Sequence, residues 1–258
     1  MLRVLAARWH QGHRTLPYPR ELPPLPDRLR GRPQLDPTRC PPGCQICEEL
    51  CPTQAIRHTP QGLALDLGRC LFCPLCEQSC PAQAIRFTSE HRLAVRRRED
   101  LQFTGHEYAL ARQLDKECRR LFGRSLKLRQ VSAGGCNACE ADTNVLTTVG
   151  WDLGRFGIQF VASPRHADGL LITGPVTRNM ELPLRKTYEA VPPPRLVIAV
   201  GACAIAGGPF VELPQVRNGA AAVVPVDLFI PGCPPHPLTI LDGLLRLLGR
   251  LPKPATPT

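Results

Sequence analysis

From about residue 126 onward, short apolar runs alternate with mixed stretches. The runs are LKLRQV (126–131), IQFVA (158–162), GLLITG (169–174), RLVIAVG (195–201) and AAVVPVDLF (221–229). Between several of them lie segments that can be helical, such as EADTNVLTTV and NMELPLRKTYEAV. Near the end, LTILDGLLRLLGRL (238–251) places Leu238, Leu241, Leu244, Leu245 and Leu248 at helical spacing. Continuous apolar strands separated by helices indicate a parallel sheet covered on both faces. The pattern predicts a flavodoxin-like, three-layer α/β domain with a parallel sheet over 128–251, followed by a tail at 252–258.

The first half lacks this pattern. Residues 1–31, with HRTLPYPRELPPLPDRLRG, are rich in proline and predict an extended arm, either wrapped on a partner or disordered. Residues 96–127 form a charged linker, in which HEYALARQLDKECRRLF is expected to be helical. Between arm and linker, over 32–95, the chain repeats itself. CEELCPTQAIR (47–57) returns as CEQSCPAQAIR (76–86). Each copy turns at a cysteine-proline pair and enters the short apolar stretch QAIR, which reads as a strand.

Cysteine is the compositional anomaly, with 13 residues in 258. No apolar run reaches the 18 or so residues of a membrane span, and MLRVLAARWHQGHRT lacks the apolar core of a signal peptide. The expected setting is therefore the cytoplasm, where clustered cysteines favour metal over disulfides. The first repeat reads Cys40-x3-Cys44-x2-Cys47-x3-Cys51-Pro52 and the second Cys70-x2-Cys73-x2-Cys76-x3-Cys80-Pro81. The second has the spacing of a bacterial two-cluster ferredoxin. Three thiolates on one tight loop reach three corners of an iron-sulfur cube, and the fourth points to the neighbouring cube. This predicts an α+β two-cluster domain with crossed ligation. Cys40, Cys44 and Cys47 would join Cys80, and Cys70, Cys73 and Cys76 would join Cys51. The first loop is one residue longer, and Gly43 can let it bulge. Zinc is the competing reading, but zinc sites usually draw on two separated cysteine pairs.

The remaining cysteines follow predicted strands. Cys136 and Cys139 lie in SAGGCNACEAD, Cys203 in AVGACAIAGG and Cys233 in FIPGCPPHP. The carboxyl edge of a parallel sheet is where ligands bind, so these four can share a third four-iron cluster. The alternative is a buried apolar Cys203 beside a Cys-x2-Cys redox dithiol. SAGGCNACE lacks the hydroxyl-rich phosphate cradle a flavin would need. Glu140 and Asp142 are proton-relay candidates, set against an ordinary role as acids at a helix N-terminus. His236 reads as a loop histidine, Arg178 as a candidate contact to the cluster or a partner, and Cys118 as a packing residue. Arg96, Arg97, Arg98, Arg119, Arg120 and Arg124 can face a membrane subunit or remain solvated. The formal charge of +10 alone would admit nucleic acid, but no recognised binding module accompanies it. Three clusters of about −2 each would lower the total to about +4.

GGCNACEAD, TGPVTRNM, AVGACAIAGG and PGCPPHP resemble the small-subunit family shared by energy-converting (group 4) nickel-iron hydrogenases and the 20 kDa subunit of respiratory complex I. The resemblance implies that Cys136, Cys139, Cys203 and Cys233 bind the cluster nearest the catalytic subunit. The complex I branch has adjacent cysteines in the first motif, whereas Cys136-Asn-Ala-Cys139 is the hydrogenase form. The region from GRPQLDPTRC to HRLAVRRREDLQF is similar to the two-cluster ferredoxin subunit of formate hydrogenlyase and hydrogenase-4 complexes. The chain thus looks like a fusion of the two.

These readings give an electron-transfer subunit with three [4Fe-4S] clusters and no complete active site of its own. The resemblance implies a hydrogenase large subunit carrying the nickel-iron centre, and integral membrane subunits that hold the chain peripherally at the cytoplasmic membrane. A formate dehydrogenase, a ferredoxin or another redox donor or acceptor would complete the circuit. Two alternatives stay open. One is the same wire in a nickel-less, complex I-like oxidoreductase reducing quinone or another acceptor. The other is a free ferredoxin-type carrier.

Overall fold

The computed structural model describes residues 2–251 except 61 and 105–107. The expected tail at 252–258 lies outside the described residues. The chain opens with helix α1 (Leu2–Gln11), which departs from an arm extended from its first residue. The prolines start at Pro17, so none opposes a helix over 2–11, and Leu, Ala and Arg favour one. Beyond Gly12 the arm is irregular and wraps its own chain. Leu16 N donates to Gly150 O at 2.8 Å. The buried Tyr18 donates its hydroxyl to Asp242 at 2.8 Å, and Arg30 Nε donates to Phe72 O at 2.7 Å.

The repeat builds the first unit. Strand β1 (Pro33–Leu35) precedes α2 (Ile46–Glu49) and β2 (Ile56–Thr59). The second copy runs β3 (Gly62–Asp66), α3 (Leu75–Gln78) and β4 (Ile85–Phe87). β1 pairs antiparallel with β4, and β2 with β3. Exchanging the two halves maps one pair onto the other, which is the pseudo-twofold relation the repeat implies. β5 (Gln102–Phe103) adds to β3.

The connection that follows is less helical than expected. Among the described residues of the expected helix, only α4 (Lys116–Phe122) forms, and Asp115 takes its N-cap, accepting from Cys118 N at 2.8 Å. Residues 106 and 107 of the expected helix lie outside the described residues. Ahead of α4, backbone bonds pin the chain, Ala111 N to Ala94 O at 2.7 Å and Leu114 N to Leu247 O at 2.9 Å.

The second unit contains β6 (Leu126–Ser132), α5 (Ala138–Val145), β7 (Ile158–Phe160) and β8 (Gly169–Thr173). It continues with α6 (Arg178–Ala190), β9 (Leu196–Val200), α7 (Ala202–Ala206), β10 (Leu228–Ile230) and α8 (Pro237–Leu247). All pairings are parallel, in the order β10-β9-β8-β6-β7. Counted within this unit, that is 2-1-3-4-5, the flavodoxin-like order. Every residue of β8, β9 and β10 is buried. The expected strand over 221–229 shrinks to β10, since Pro225 cannot donate to a ladder and 220–222 coil into a 3-10 turn.

Alternation along the strands sorts two faces. Leu171, Ile198, Val200 and Ile230 pack with Leu238, Leu241, Leu244 and Leu245 of α8. Leu170, Ile172, Val197, Ala199 and Phe229 share the other core with Leu184 of α6, Ile205 of α7 and Ile56, Leu65 and Val95. One apolar core therefore joins the two units. A backbone suture reinforces it: Val95 and Phe229 exchange hydrogen bonds of 3.0 and 2.8 Å. Arg98, one of the arginines considered for a membrane surface, is instead used internally. Its guanidinium grips Asp66 with bonds of 2.9 and 2.7 Å.

Candidate metal centres

Twelve of the thirteen cysteines fall into three groups of four, with Cys118 apart. Cys40, Cys44, Cys47 and Cys80 line one cavity together with Ile46, Leu63 and Ile85. Cys51, Cys70, Cys73 and Cys76 line a second with Thr53, Leu65 and Phe87. Each repeat thus sends its last cysteine to the other repeat's cavity. Cys47 and Cys76 ride on the single helical turns α2 and α3. Cys51 and Cys80 follow those turns in the chain.

The copies match in detail. Gly43 and Phe72, each just before the second cysteine of its loop, both have positive φ (78° and 54°). The longer first loop therefore keeps the left-handed step and takes up its extra residue at Pro41-Pro42. Gln54 and Gln83 are also left-handed, at φ 52° and 51°. That turn aims Ala55 N at Cys51 Sγ and Ala84 N at Cys80 Sγ, both at 3.2 Å. Phe72 N donates to Cys70 Sγ at 3.3 Å. Glu48 accepts from His58 N at 2.9 Å, and its counterpart Glu77 accepts from Phe87 N at 3.1 Å.

Among the positions where the copies differ, one places a titratable ring beside a cysteine sulfur, and sequence reasoning passed over it. His58 stands where the second copy has Phe87. Its Nε2 lies 3.7 Å from Cys40 Sγ, and its Nδ1 lies 2.9 Å from Glu48 Oε2. Aligning the two copies to their ends would have exposed the difference.

The third group lies at the carboxyl edge of the five-stranded sheet. Cys136 and Cys139 follow β6, Cys203 follows β9 on α7, and Cys233 follows β10. Two glycines make the convergence possible. A Cβ on Gly201, at φ 91°, would sit 2.5 Å from Cys139 Sγ, and one on Gly208 would sit 2.7 Å from Cys203 Sγ. Cys203 is buried, Cys139 half-buried, and Cys136 and Cys233 exposed. The rim is thus open on one side.

Burial, then neighbouring thiols, raises the thiol pKa values. Cys47 is pushed to about 11, with Cys40, Cys80 and Cys44 contributing. Cys76 rises to about 12 through burial, Cys73 and Cys51. Cys203 rises to about 12 through burial, Cys233 and Cys136. Burial also raises Cys139, with Cys203, Cys233 and Cys136 adding to it. The three groups are therefore mutually close within themselves. Without metal the buried thiols stay protonated, and a bound cation must supply the charge that displaces those protons. Four cysteines per site, with backbone N–H groups on several sulfurs, fit a four-iron cluster. Among the described residues, no three His, Cys, Asp or Glu side chains converge to hold a single metal ion.

Cys47 of the first group contributes to the shift of Cys76 in the second. Cys73 of the second contributes to that of Cys233 in the third. A cleft between the second and third is lined by Phe72, Cys73, Cys233, Pro234, His236 and Asp142.

The other candidates occupy defined places. Glu140 is buried and accepts from the hydroxyls of Ser132 and Thr173, both at 2.6 Å. It lies in the first turn of α5, as a helix N-terminal acid would, but it is buried rather than facing solvent. Burial raises the carboxyl pKa of Asp142. His236 caps α8, with Nδ1 accepting from Leu238 N at 3.1 Å. Arg178 is exposed at the start of α6, and Cys118 is half-buried against the α8 core.

Residues 136–247 match the family model described as NADH ubiquinone oxidoreductase, 20 Kd subunit. A probable membrane-bound hydrogenase subunit of Pyrococcus furiosus is 41% identical over 145 residues, covering 55% of this chain and 87% of that protein. Formate hydrogenlyase subunit 7 of Escherichia coli is 45% identical over 128 residues, which is 50% of each chain. An NADH-quinone oxidoreductase subunit of Heliobacterium modesticaldum is 39% identical over 124 residues, covering 48% of this chain and 71% of that one. The family match begins at residue 136, so the first unit lies outside it.

Proposed function

This chain belongs to the NADH ubiquinone oxidoreductase 20 kDa subunit family and is a redox subunit of an oxidoreductase complex, and on that premise we propose the following role. It relays single electrons through three [4Fe-4S] clusters to or from a nickel-iron site on a partner large subunit. The complex is a membrane-associated hydrogenase of the formate hydrogenlyase type, and the first unit is its two-cluster ferredoxin domain. One observation supports the reading: eight cysteines line two adjoining four-cysteine cavities, and Cys73 of the second shares a cleft with Cys233 of the third group.

A four-iron cluster, when bound, takes up and releases one electron at a time. The chain's own residues do the rest. Cys40, Cys44, Cys47 and Cys80 hold the first site. Cys70, Cys73, Cys76 and Cys51 hold the second, and Cys136, Cys139, Cys203 and Cys233 the third. Ala55, Ala84 and Phe72 donate backbone N–H bonds to ligand sulfurs, which favours the reduced, more negative state. Leu65, Ile85 and Phe87 exclude water from the second site. Exposed Cys136 and Cys233 leave the third site open toward the large subunit. Cys136-x2-Cys139, rather than an adjacent pair, supports the hydrogenase branch over the complex I branch.

The test is anaerobic isolation of the native complex, followed by metal analysis and hydrogen turnover. The reading expects about twelve irons per copy of this chain, nickel in the large subunit and hydrogen production or uptake. Clusters without nickel, together with quinone or other acceptor reduction, would transfer the wire to the complex I-like reading. Isolation as a monomer serving unrelated reductases would make it a free carrier.

A further inference from the structure

We infer that α1 is a membrane-surface anchor that lies in the headgroup layer of an anionic bilayer. This adds a direct lipid contact to the peripheral placement through partner subunits proposed above. The inference rests on α1 alone and does not depend on the cluster reading. No residue of α1 is buried. Leu2, Leu5 and Trp9 are 83%, 63% and 88% exposed, so the fold makes no use of its largest apolar side chains. At about 100° per residue, Leu2, Leu5, Ala6 and Trp9 fall within an arc of about 100°. Arg3 and His10 border that stripe on one side and Arg8 on the other, while Val4 and Gln11 lie opposite.

Charge selects the occupant. Arg3, Arg8, Arg14 and Arg20, with His10 and His13, all precede the first acidic residue, Glu21. An apolar stripe holding a tryptophan and bordered by arginines suits an interface where rings sit at headgroup level and guanidiniums meet phosphate. The helix cannot span a bilayer, because among the described residues no helix is long and apolar enough. Its attachment fits a surface role. The arm is fastened at Leu16, through Gly150, and at Tyr18, leaving 12–15 as a short tether. Val149, beside that anchor point, is itself 75% exposed.

The test uses the full chain with vesicles of phosphatidylcholine alone or mixed with phosphatidylglycerol. Sedimentation should show binding to the anionic vesicles only, weakened by salt. Trp9 emission should shift to the blue on binding, and W9F should remove that shift while Trp151 reports the unchanged fold. R3Q/R8Q should weaken partitioning about twenty-fivefold, at about fivefold per charge, and L5D should abolish it. Because α1 buries nothing, these variants should keep the parent melting temperature and iron content. Three results would overturn the inference: no vesicle binding by the parent chain, equal binding to neutral vesicles, or binding unchanged in both R3Q/R8Q and L5D. Attachment of α1 to a purified partner subunit with none to lipid would do so as well.

Discussion

The two units gather their cysteines by different means. In the first, eight cysteines between 40 and 80 sit on two copies of one short turn. Most of their geometry is local: a helical turn, a proline and a left-handed glutamine. In the second, four cysteines spread from 136 to 233 meet only because three strands end at the same sheet edge. The first two sites depend on loop conformation, and the third on tertiary structure. The third is also the one left open, with Cys136 and Cys233 exposed. A locally encoded site can be enclosed, while one assembled at a rim can face another subunit.

The largest expected effect follows from that division. Cys203→Ala should remove about four irons and stop electron delivery to the large subunit, while leaving the spectra of the first two sites intact. Iron analysis and low-temperature magnetic resonance on the same preparation would check it. Loss of all iron would mean that the sites are not independent.

Crossed ligation gives the next test. Cys51→Ala alters the first repeat but should damage the site of Cys70, Cys73 and Cys76. Cys80→Ala should do the reverse. Spectra in which each variant loses the site of its own repeat would break the comparison.

Gly201→Ala should be milder. Its Cβ would press on Cys139 Sγ from a backbone at φ 91°, so the third site should fill incompletely and bleach first on warming. His58→Phe should have the smallest effect. It gives the first copy the residue of the second and removes a contact worth about 1 kcal/mol. A redox titration should show the first site's potential move while the second's stays fixed.

Much of this was legible because cysteine spacing is local information. The grouping of eight thiols followed from two runs, and the parallel sheet from apolar stretches such as GLLITG and RLVIAVG. Less visible were features set by contacts distant in sequence. The Val95–Phe229 suture joins residues more than a hundred positions apart and has no motif. Glu140 sits at a helix start in the sequence, but Ser132 and Thr173 draw it into the interior. α1 was hidden by the prolines that follow it, although they begin only at Pro17. α4 came out shorter than the sequence suggested, with Asp115 at its N-cap.

The central claim is that three four-iron sites stand in file within this one chain. Controlled-potential magnetic resonance of the anaerobic native complex tests it most directly. The account predicts three reduced-cluster signals per chain, with spin coupling between first and second and between second and third. Two signals only, or three of which the first couples to the third and not to the second, would contradict it.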